Sequence, residues 1–325
     1  MKYIRNDSTN PYYNLALEEY VHYNLIDDDY VLLWQNAYTV VIGRHQNAGE
    51  EVNLTRAAEL GVTVVRRNSG GGAVFHDMGN LNFSWITDWD EEKTDYNKFL
   101  EPVIAALGGF GLVAEKQGRN DLTAGGKKIS GNAQCVHNGR IMHHGTLLVC
   151  SDLNVMPEVL SVGSDKFESK GIKSVRSRVR NINDLSASPV DTETLKQALI
   201  MSFSRNSGVT EYCLTSGQIS EIETLAKNKY MTWEWNIGDS ANYSYRNMKR
   251  FPGGKAEVQM NVINGQIVGC KISGDFLALV GVEVIEQALT GRRVERANLA
   301  DALSRVEMNR FFSISQDELL QCFEV

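Results

Sequence analysis

The sequence predicts an α+β protein in two parts, and three observations carry that reading. Strand-like runs follow one another through short polar connections rather than in regular βαβ alternation, which favours a hairpin-rich antiparallel sheet with helices. An unusually glycine-rich stretch, Arg66-Arg67-Asn68-Ser69-Gly70-Gly71-Gly72-Ala73-Val74-Phe75-His76-Asp77, is held between two such runs. From about residue 245 the style changes to one clean hairpin and three helical segments, a small α+β unit of its own. The 325 residues are long for a single core, so a large domain of residues 1–244 and a small one of residues 245–325 are expected.

Taken in order, residues Pro11 to Tyr23 read as a helix: Pro11 suits the first turn after Ser8-Thr9-Asn10, and Leu15, Ala16, Glu19 and Tyr20 recur at helical spacing. Tyr30–Trp34 and Tyr38–Ile42 read as strands joined by Gln35-Asn36-Ala37, and Arg44 and His45 follow where the second one ends, a usual place for ligand contacts. A helix from about Val52 to Leu60 leads through Gly61 into the run Val62–Val65. Leu81–Ile86 alternates apolar and polar residues, as a half-buried strand does. Asn97 to Phe110 carries Leu100, Val103, Ile104 and Leu107 as a core helix ending at Gly108-Gly109. Runs on either side of Ala124-Gly125-Gly126 and at Ile141–Val149 give further strands. Helices are expected at Val190–Ser204, with Asp191 as N-cap, and at Gln218–Lys229. In the last part residues 255–263 alternate, Asn264-Gly265 signals a type I′ turn, Gln266–Asp275 pairs back, and helices follow at about 280–290, 297–306 and 315–322.

Composition narrows the function classes. Hydrophobic residues at 42% and charged residues at 22% describe a folding globular chain. The N-terminus has no apolar leader and no run approaches the ~20 apolar residues of a membrane span, so a cytosolic, membrane-free protein is expected. Five cysteines without a Cys-x-x-Cys pair fit a reducing compartment without disulfides. A formal charge of -7 argues against nucleic-acid binding. Lys166, Lys170, Lys173, Arg176, Arg178 and Arg180 nevertheless cluster against the single acid Glu168 between Lys166 and Arg180. That segment reads either as a solvated face or as a docking surface for an anionic ligand or acidic protein.

The glycine stretch is the strongest chemical signal. Glycines allow positive φ and let a ligand lie against main-chain N–H groups, and two guanidinium groups beside them suit an elongated anion. A flexible turn with solvated arginines is the plain alternative. Two further clusters accompany it: Arg119-Asn120-Asp121-Leu122 followed by Lys127-Lys128-Ile129-Ser130-Gly131, and His143-His144-Gly145-Thr146-Leu147-Leu148. His76 alone could equally be a core histidine, and the lysine pair a solvated one.

In combination with Tyr13–Glu19, Val41–Asn47 and Lys170–Val179, these clusters resemble the lipoate–protein ligase A family, within the biotin and lipoate ligases, over nearly the whole chain. The resemblance implies a catalytic domain with a large mixed or antiparallel sheet and a C-terminal accessory domain. It implies ATP and Mg²⁺ as cofactors and lipoate or octanoate as substrate. The acceptors are apo lipoyl domains of 2-oxoacid dehydrogenase E2 subunits or the glycine cleavage H protein, and the enzyme is a monomer. The acyl carboxylate attacks the α-phosphate of ATP, and a carrier lysine then takes the acyl group. By resemblance Lys128 is the fixed cation at the α-phosphate, with Lys127 pointing the opposite way, and Asp121, supported by Asn120, is the candidate magnesium ligand. Gly70, Gly71 and Gly72 run alongside the acyl-phosphate with Arg67 near the phosphate or acyl carbonyl. Val74, Phe75 and His76 border the nucleotide and acyl tunnel, and Arg44 and His144 complete the binding set, one of His143 and His144 contacting ligand while the other packs.

Two competitors use the same fold. A cysteine-dependent octanoyl or lipoyl transferase needs an activated thiol, which in the related octanoyltransferases lies just before the position of Arg119-Asn120-Asp121. Here that neighbourhood, Leu112–Lys116, has no cysteine, although Cys135 and Cys150 flank the region. A non-catalytic lipoyl-binding protein is the other. A biotin ligase is disfavoured because its arginine- and glycine-rich loop is missing, and zinc because the histidines lack hydrolytic spacing.

Overall fold

The computed structural model describes residues 1–90, 94–160, 178–204, 208–237, 245–308 and 312–323. Most of the basic segment 166–180 lies outside the described residues. Among the described residues, eleven strands precede residue 245: β1 (Lys2–Arg5), β2 (Tyr30–Trp34), β3 (Thr39–Ile42), β4 (Thr63–Arg66), β5 (Val74–His76), β6 (Asn80–Asp88), β7 (Ala114–Gln117), β8 (Asp121–Ala124), β9 (Lys127–His137), β10 (Arg140–Leu148) and β11 (Thr210–Glu211). Eight form one sheet in the order β11-β1-β2-β6-β10-β9-β8-β7. The sheet is mixed: β1 runs parallel to β2 and β11, and the remaining pairs are antiparallel. A smaller sheet, β4-β3-β5, has β3 parallel to β4 and antiparallel to β5. Thus β2 and β3, expected as neighbours, belong to different sheets.

That separation is built by Asn14. Its Nδ2 donates to the carbonyl of Gln35 at 2.8 Å and to Asn36 Oδ1 at 2.9 Å, so the connection leaves β2 along the start of helix Pro11–Asn24 instead of closing a hairpin. Asn10 caps this helix through the amides of Tyr12 and Tyr13. The helix is buried along most of its length between the two sheets, with Leu15, Ala16, Leu17 and Val21 packed against Leu32, Trp34, Ile86, Met142, Val41 and Val65. On the other side of the large sheet, helices Tyr96–Gly108 and Thr192–Ser204 cover Val31, Leu33, Phe83 and Leu147.

With both faces covered, β6 is buried almost throughout, where the sequence predicted a half-buried strand. Asn82 and Ser84 therefore point into the protein. The expected helix at 52–60 is two short ones, Ala48–Glu51 and Leu54–Glu59, because the Asn53 side chain accepts from Arg56 N–H and starts a new helix. Asp191 caps Thr192–Ser204 as expected.

After residue 245 come β12 (Tyr245–Phe251), β13 (Gly254–Ile263) and β14 (Gln266–Gly274), an antiparallel sheet turning at Asn264-Gly265, both with positive φ. Strand β12 was not anticipated, since its alternation is carried by partly exposed Arg246, Met248 and Arg250. Helices Glu283–Leu289, Arg296–Ser304 and Gln316–Leu320 close a separate core around Val258, Ile272, Leu289 and Leu303. No helix among the described residues is long and apolar enough to cross a membrane.

Four of the six histidines are buried and kept neutral. Burial pulls His22 down to about 4, His45 and His76 to about 3, and His143 well below its ordinary value. The unfolded chain protonates them near pH 6.5 and the folded chain does not, so stability falls as pH falls through that value. Each histidine removes up to about 1.4 kcal/mol per pH unit. The thermal midpoint should accordingly drop by several degrees between pH 7 and pH 5, and a flat profile over that interval would contradict the neutral assignment.

Candidate active site

The glycine stretch and the two other clusters meet around one cavity of about 110 Å³, between β5, the sheet strands β6, β9 and β10, and helix Pro11–Asn24. Of the expected residues, Arg67, Gly72, Val74, His76, Asn120, Lys128 and His144 line it. Leu15, Trp34, Asn82, Asn132 and Thr146 line it as well; Leu15 and Thr146 belong to motifs read from the sequence, but none of the five was expected as a site residue. Its lining combines apolar Leu15, Trp34, Val41, Val74 and Ala133 with the polar or charged Lys128, Asn120, Asn82, Asn132, Thr146, His76 and His144.

Strand alternation sorts neighbours. Val74 and His76 face the cavity, while Phe75 between them packs into the core on the far side of β5 with Val40 and Ile42. His144 lines the cavity, and His143 stacks on Phe99 from the opposite face of β10, ring centroids 4.7 Å apart. Lys128 lines the cavity and Lys127 does not. A bulge in β8–β9, where pairing passes from Leu122↔Ser130 to Thr123↔Lys128, leaves Ile129 without an opposite residue. The Lys128 ammonium then lies over Gly131, where a Cβ would come within 3.1 Å of it. Lys128 Nζ pairs with Asp121 Oδ1 at 2.6 Å, so Asp121 reaches the site through the lysine rather than by lining the cavity. The Lys128 carbonyl accepts from Arg180 N–H at 2.9 Å, which brings the end of the basic segment to the same place.

The two arginines are placed differently from the open anion site that the sequence suggested. Arg66 donates to the carbonyls of Gly43, Arg44, Gln46, Trp235 and Asn236. Arg67 donates to Ser69 Oγ and the carbonyls of Val41, Gly70 and Gly72, at 3.0, 3.2, 2.6 and 2.9 Å. Both guanidinium groups thus shape backbone, and burial pulls each down to about 10, still far above neutrality. Gly70 and Gly71 face away from the cavity towards the C-terminal unit. Gly71 N–H donates to the Phe276 carbonyl at 3.0 Å, and a Cβ on Gly70 would lie 2.8 Å from that same oxygen. Arg44 also turns to this unit, pairing with Glu283 at 2.6 Å and stacking on Trp235 at 4.3 Å.

Histidine states follow from neighbours. Asn14 donates to Asn36 Oδ1, which leaves the Asn36 amide to donate to His76 Nδ1 at 3.1 Å. His76 therefore carries its proton on Nε2, a buried donor with no hydrogen-bond partner among the described residues, in a side chain that lines the cavity. His144 lies between Glu18 Oε1, 2.8 Å from Nδ1, and Ser69 Oγ, 2.6 Å from Nε2. Burial alone would raise the Glu18 carboxyl, but His144 and the Ser84 hydroxyl outweigh it and hold it below its ordinary value.

No described group of three or more histidine, cysteine, aspartate or glutamate side chains could hold a metal by itself. All five cysteines are described, and none lines the cavity. Cys135 is buried beside His22, and burial pushes its thiol far up, the reverse of an activated nucleophile.

A glycine loop over a sheet-floored cavity lined by apolar side chains and by a lysine held against Asp121 is the arrangement of an acyl-activating ligase of the biotin and lipoate type. The chain matches the lipoyl protein ligase A/B catalytic domain over residues 10–204 and the bacterial lipoate protein ligase C-terminus over residues 240–323. It is 42% identical to the lipoate-protein ligase LplJ of Bacillus subtilis, over 98% of this chain and 99% of that one. Among solved structures, P. falciparum LipL1 in complex with lipoate shares the fold, at 24% identity and TM-score 0.81 over 98% of both chains. The bipartite lipoate protein ligase of Thermoplasma acidophilum, described with its E2 lipoyl domain, is 31% identical over 75% of this chain and 98% of its own, TM-score 0.67. A lipoate-protein ligase A bound with ATP is 30% identical over 73% and 98%, TM-score 0.65. The chain belongs to the lipoate–protein ligase family and is an enzyme.

The loop tolerates no bulk where it crosses β3. A Cβ on Gly43 would lie 2.0 Å from the Gly71 carbonyl oxygen. Gly43→Ala should lower stability by about 1–3 kcal/mol and activity by at least tenfold, read by thermal unfolding and pyrophosphate release. Wild-type activity in this variant would mean that the loop position is not critical.

Proposed function

We propose that the chain is an ATP-dependent lipoate–protein ligase, and that the observation carrying this reading is Lys128 on the wall of a cavity that Leu15, Trp34, Val41 and Val74 also line. In the first step the lipoate carboxylate attacks the α-phosphorus of ATP; the acyl–phosphate bond forms and the bond to pyrophosphate breaks. In the second, a carrier lysine amine attacks the acyl carbon, an amide forms and AMP leaves. The apolar lining that Leu15, Trp34 and Val74 provide suits the acyl chain. Lys128 screens the approach of carboxylate to triphosphate and stabilises charge on the α-phosphate oxygens in the transition state. The remaining expected residues support this division: Gly72 and Val74 line the acyl–phosphate path, and the His76 Nε2–H offers it a hydrogen bond.

Magnesium fits this donor set in its usual way, through one carboxylate together with phosphate oxygens and water. Asp121 would be the protein's ligand and Asn120 its neighbour; bound there, the ion would neutralise phosphate charge. We assign residues 1–244 to catalysis and 245–325 to an accessory domain. The Thermoplasma relative supports an E2 lipoyl domain as acceptor; we add the glycine cleavage H protein as a further or alternative acceptor, and octanoate as an alternative to lipoate. We place the enzyme in the cytosol as a monomer. The cysteine-dependent alternative is disfavoured by the position of all five thiols outside the cavity.

Incubation with lipoate, Mg-ATP and an apo lipoyl domain should yield AMP, pyrophosphate and modified carrier. Indifference to ATP would indicate a transferase, and no product a binding protein. Lys128→Ala should slow adenylation roughly 10²–10³-fold, by analogy with losing one preorganised donor. Near-normal pyrophosphate release by that variant would remove Lys128 from the chemistry.

A further inference from the structure

Helix Pro11–Asn24 carries two consecutive buried carboxylates, Glu18 and Glu19, and each reaches a different residue of the glycine stretch. Glu18 acts on Ser69 through His144, beside the cavity. Glu19 turns the other way. Its Oε2 accepts from Asn68 Nδ2 at 2.8 Å, from Lys229 Nζ at 2.6 Å and from the Tyr230 hydroxyl. Lys229 Nζ donates in addition to Asn68 Oδ1 at 3.0 Å, so both ends of the Asn68 amide are fixed by one ion pair.

None of Glu19, Asn68, Lys229 and Tyr230 lines the cavity, and yet a charge pair and two polar groups are largely withdrawn from water there, Glu19 more fully than Lys229. A buried ion pair is a poor source of stability, because desolvation offsets most of the attraction; its better attested use is to impose one arrangement. The arrangement imposed is that of the chain just before the glycines. Lys229 and Tyr230 arrive on a π-helical turn, Ala226–Tyr230, a geometry that is rare and concentrated at functional sites. The residues that follow brace the same stretch two positions before Asn68, at Arg66. The Asn236 side chain accepts from Arg66 N–H at 2.9 Å, and Trp235 Nε1 donates to the Arg66 carbonyl at 2.9 Å. Lys229 lies 4.0 Å from the Trp235 ring centroid.

We infer that Lys229 is a positioning residue for the ligase reaction: with Glu19 it sets Asn68, and through Asn68 it fixes where the Ser69–Gly72 segment enters the site. The inference rests on the ligase reading for its kinetic consequence and on geometry for its structural one, and the two can be tested separately. In the full-length enzyme, Lys229→Met, Asn68→Ala and the double variant should be compared for pyrophosphate release with lipoate and Mg-ATP. Each single change should lower kcat/KM about tenfold. The second change should then cost less than twofold in the background of the first, because both remove one interaction. Hydrogen exchange supplies the readout that does not depend on activity. Exchange in the peptide spanning residues 66–73 should rise in Lys229→Met, while helix Pro11–Asn24 keeps its protection. Multiplying kinetic effects, or unchanged exchange in residues 66–73, would overturn the positioning role. A wild-type enzyme that makes no pyrophosphate while the exchange result holds would instead overturn the ligase reading.

Discussion

The site depends on a buried guanidinium group. Arg67 directs four donations into the segment around it, to one hydroxyl and three carbonyls, and so turns a glycine run with many accessible conformations into a single one. Charge suits this role. A donor that stays charged even at reduced pKa holds carbonyls more strongly than a neutral amide would, and five planar N–H groups can serve several acceptors at once. Arg66 does the same for the neighbouring turn, and the two meet at Gly43, whose carbonyl accepts from Arg66 and whose missing Cβ admits the carbonyl of Gly71.

Helix Pro11–Asn24 is the second constraint. It lies between the two sheets, and its polar residues are directed inward as well as its apolar ones. Asn14 orients Asn36 and thereby the His76 ring, Glu18 orients His144, and Glu19 meets Asn68. By contrast the Lys128–Asp121 pair, each side chain about one-third exposed at 34% and 37%, contributes at most about 1 kcal/mol to folding. The two kinds of ion pair differ in purpose: buried ones fix the frame, and the exposed one leaves its lysine available.

Much of this was legible from the residues. Arg67 and Gly72 of the glycine stretch, the lysine before Ile129-Ser130-Gly131 and one of the paired histidines come to one cavity, and hairpin and helix signals placed most elements. The misses share a cause, which is that local pattern does not reveal what covers a strand from its second side. Asn82 and Ser84 looked like a solvent face because they alternate with apolar residues, but helix Pro11–Asn24 covers that face, and Ser84 donates to its Glu18. Nor could spacing show that Arg66 and Arg67 are occupied by backbone carbonyls far away in sequence, at Gly43 and Val41, or that Phe75 would turn from the cavity that its neighbours line. Strand β12 escaped notice because its exposed side is as basic as a surface loop.

The hydrogen bond from Gly71 N–H to the Phe276 carbonyl joins the glycine segment to the C-terminal unit. An amide proton has room for one strong acceptor. Any bound anion that recruits this donor must therefore displace Phe276, and binding at that amide is thermodynamically linked to undocking of the strand end that carries it. Ligand affinity and interdomain affinity are then two measures of one exchange equilibrium, and a change on the surface of the C-terminal unit can register in the catalytic domain without touching it.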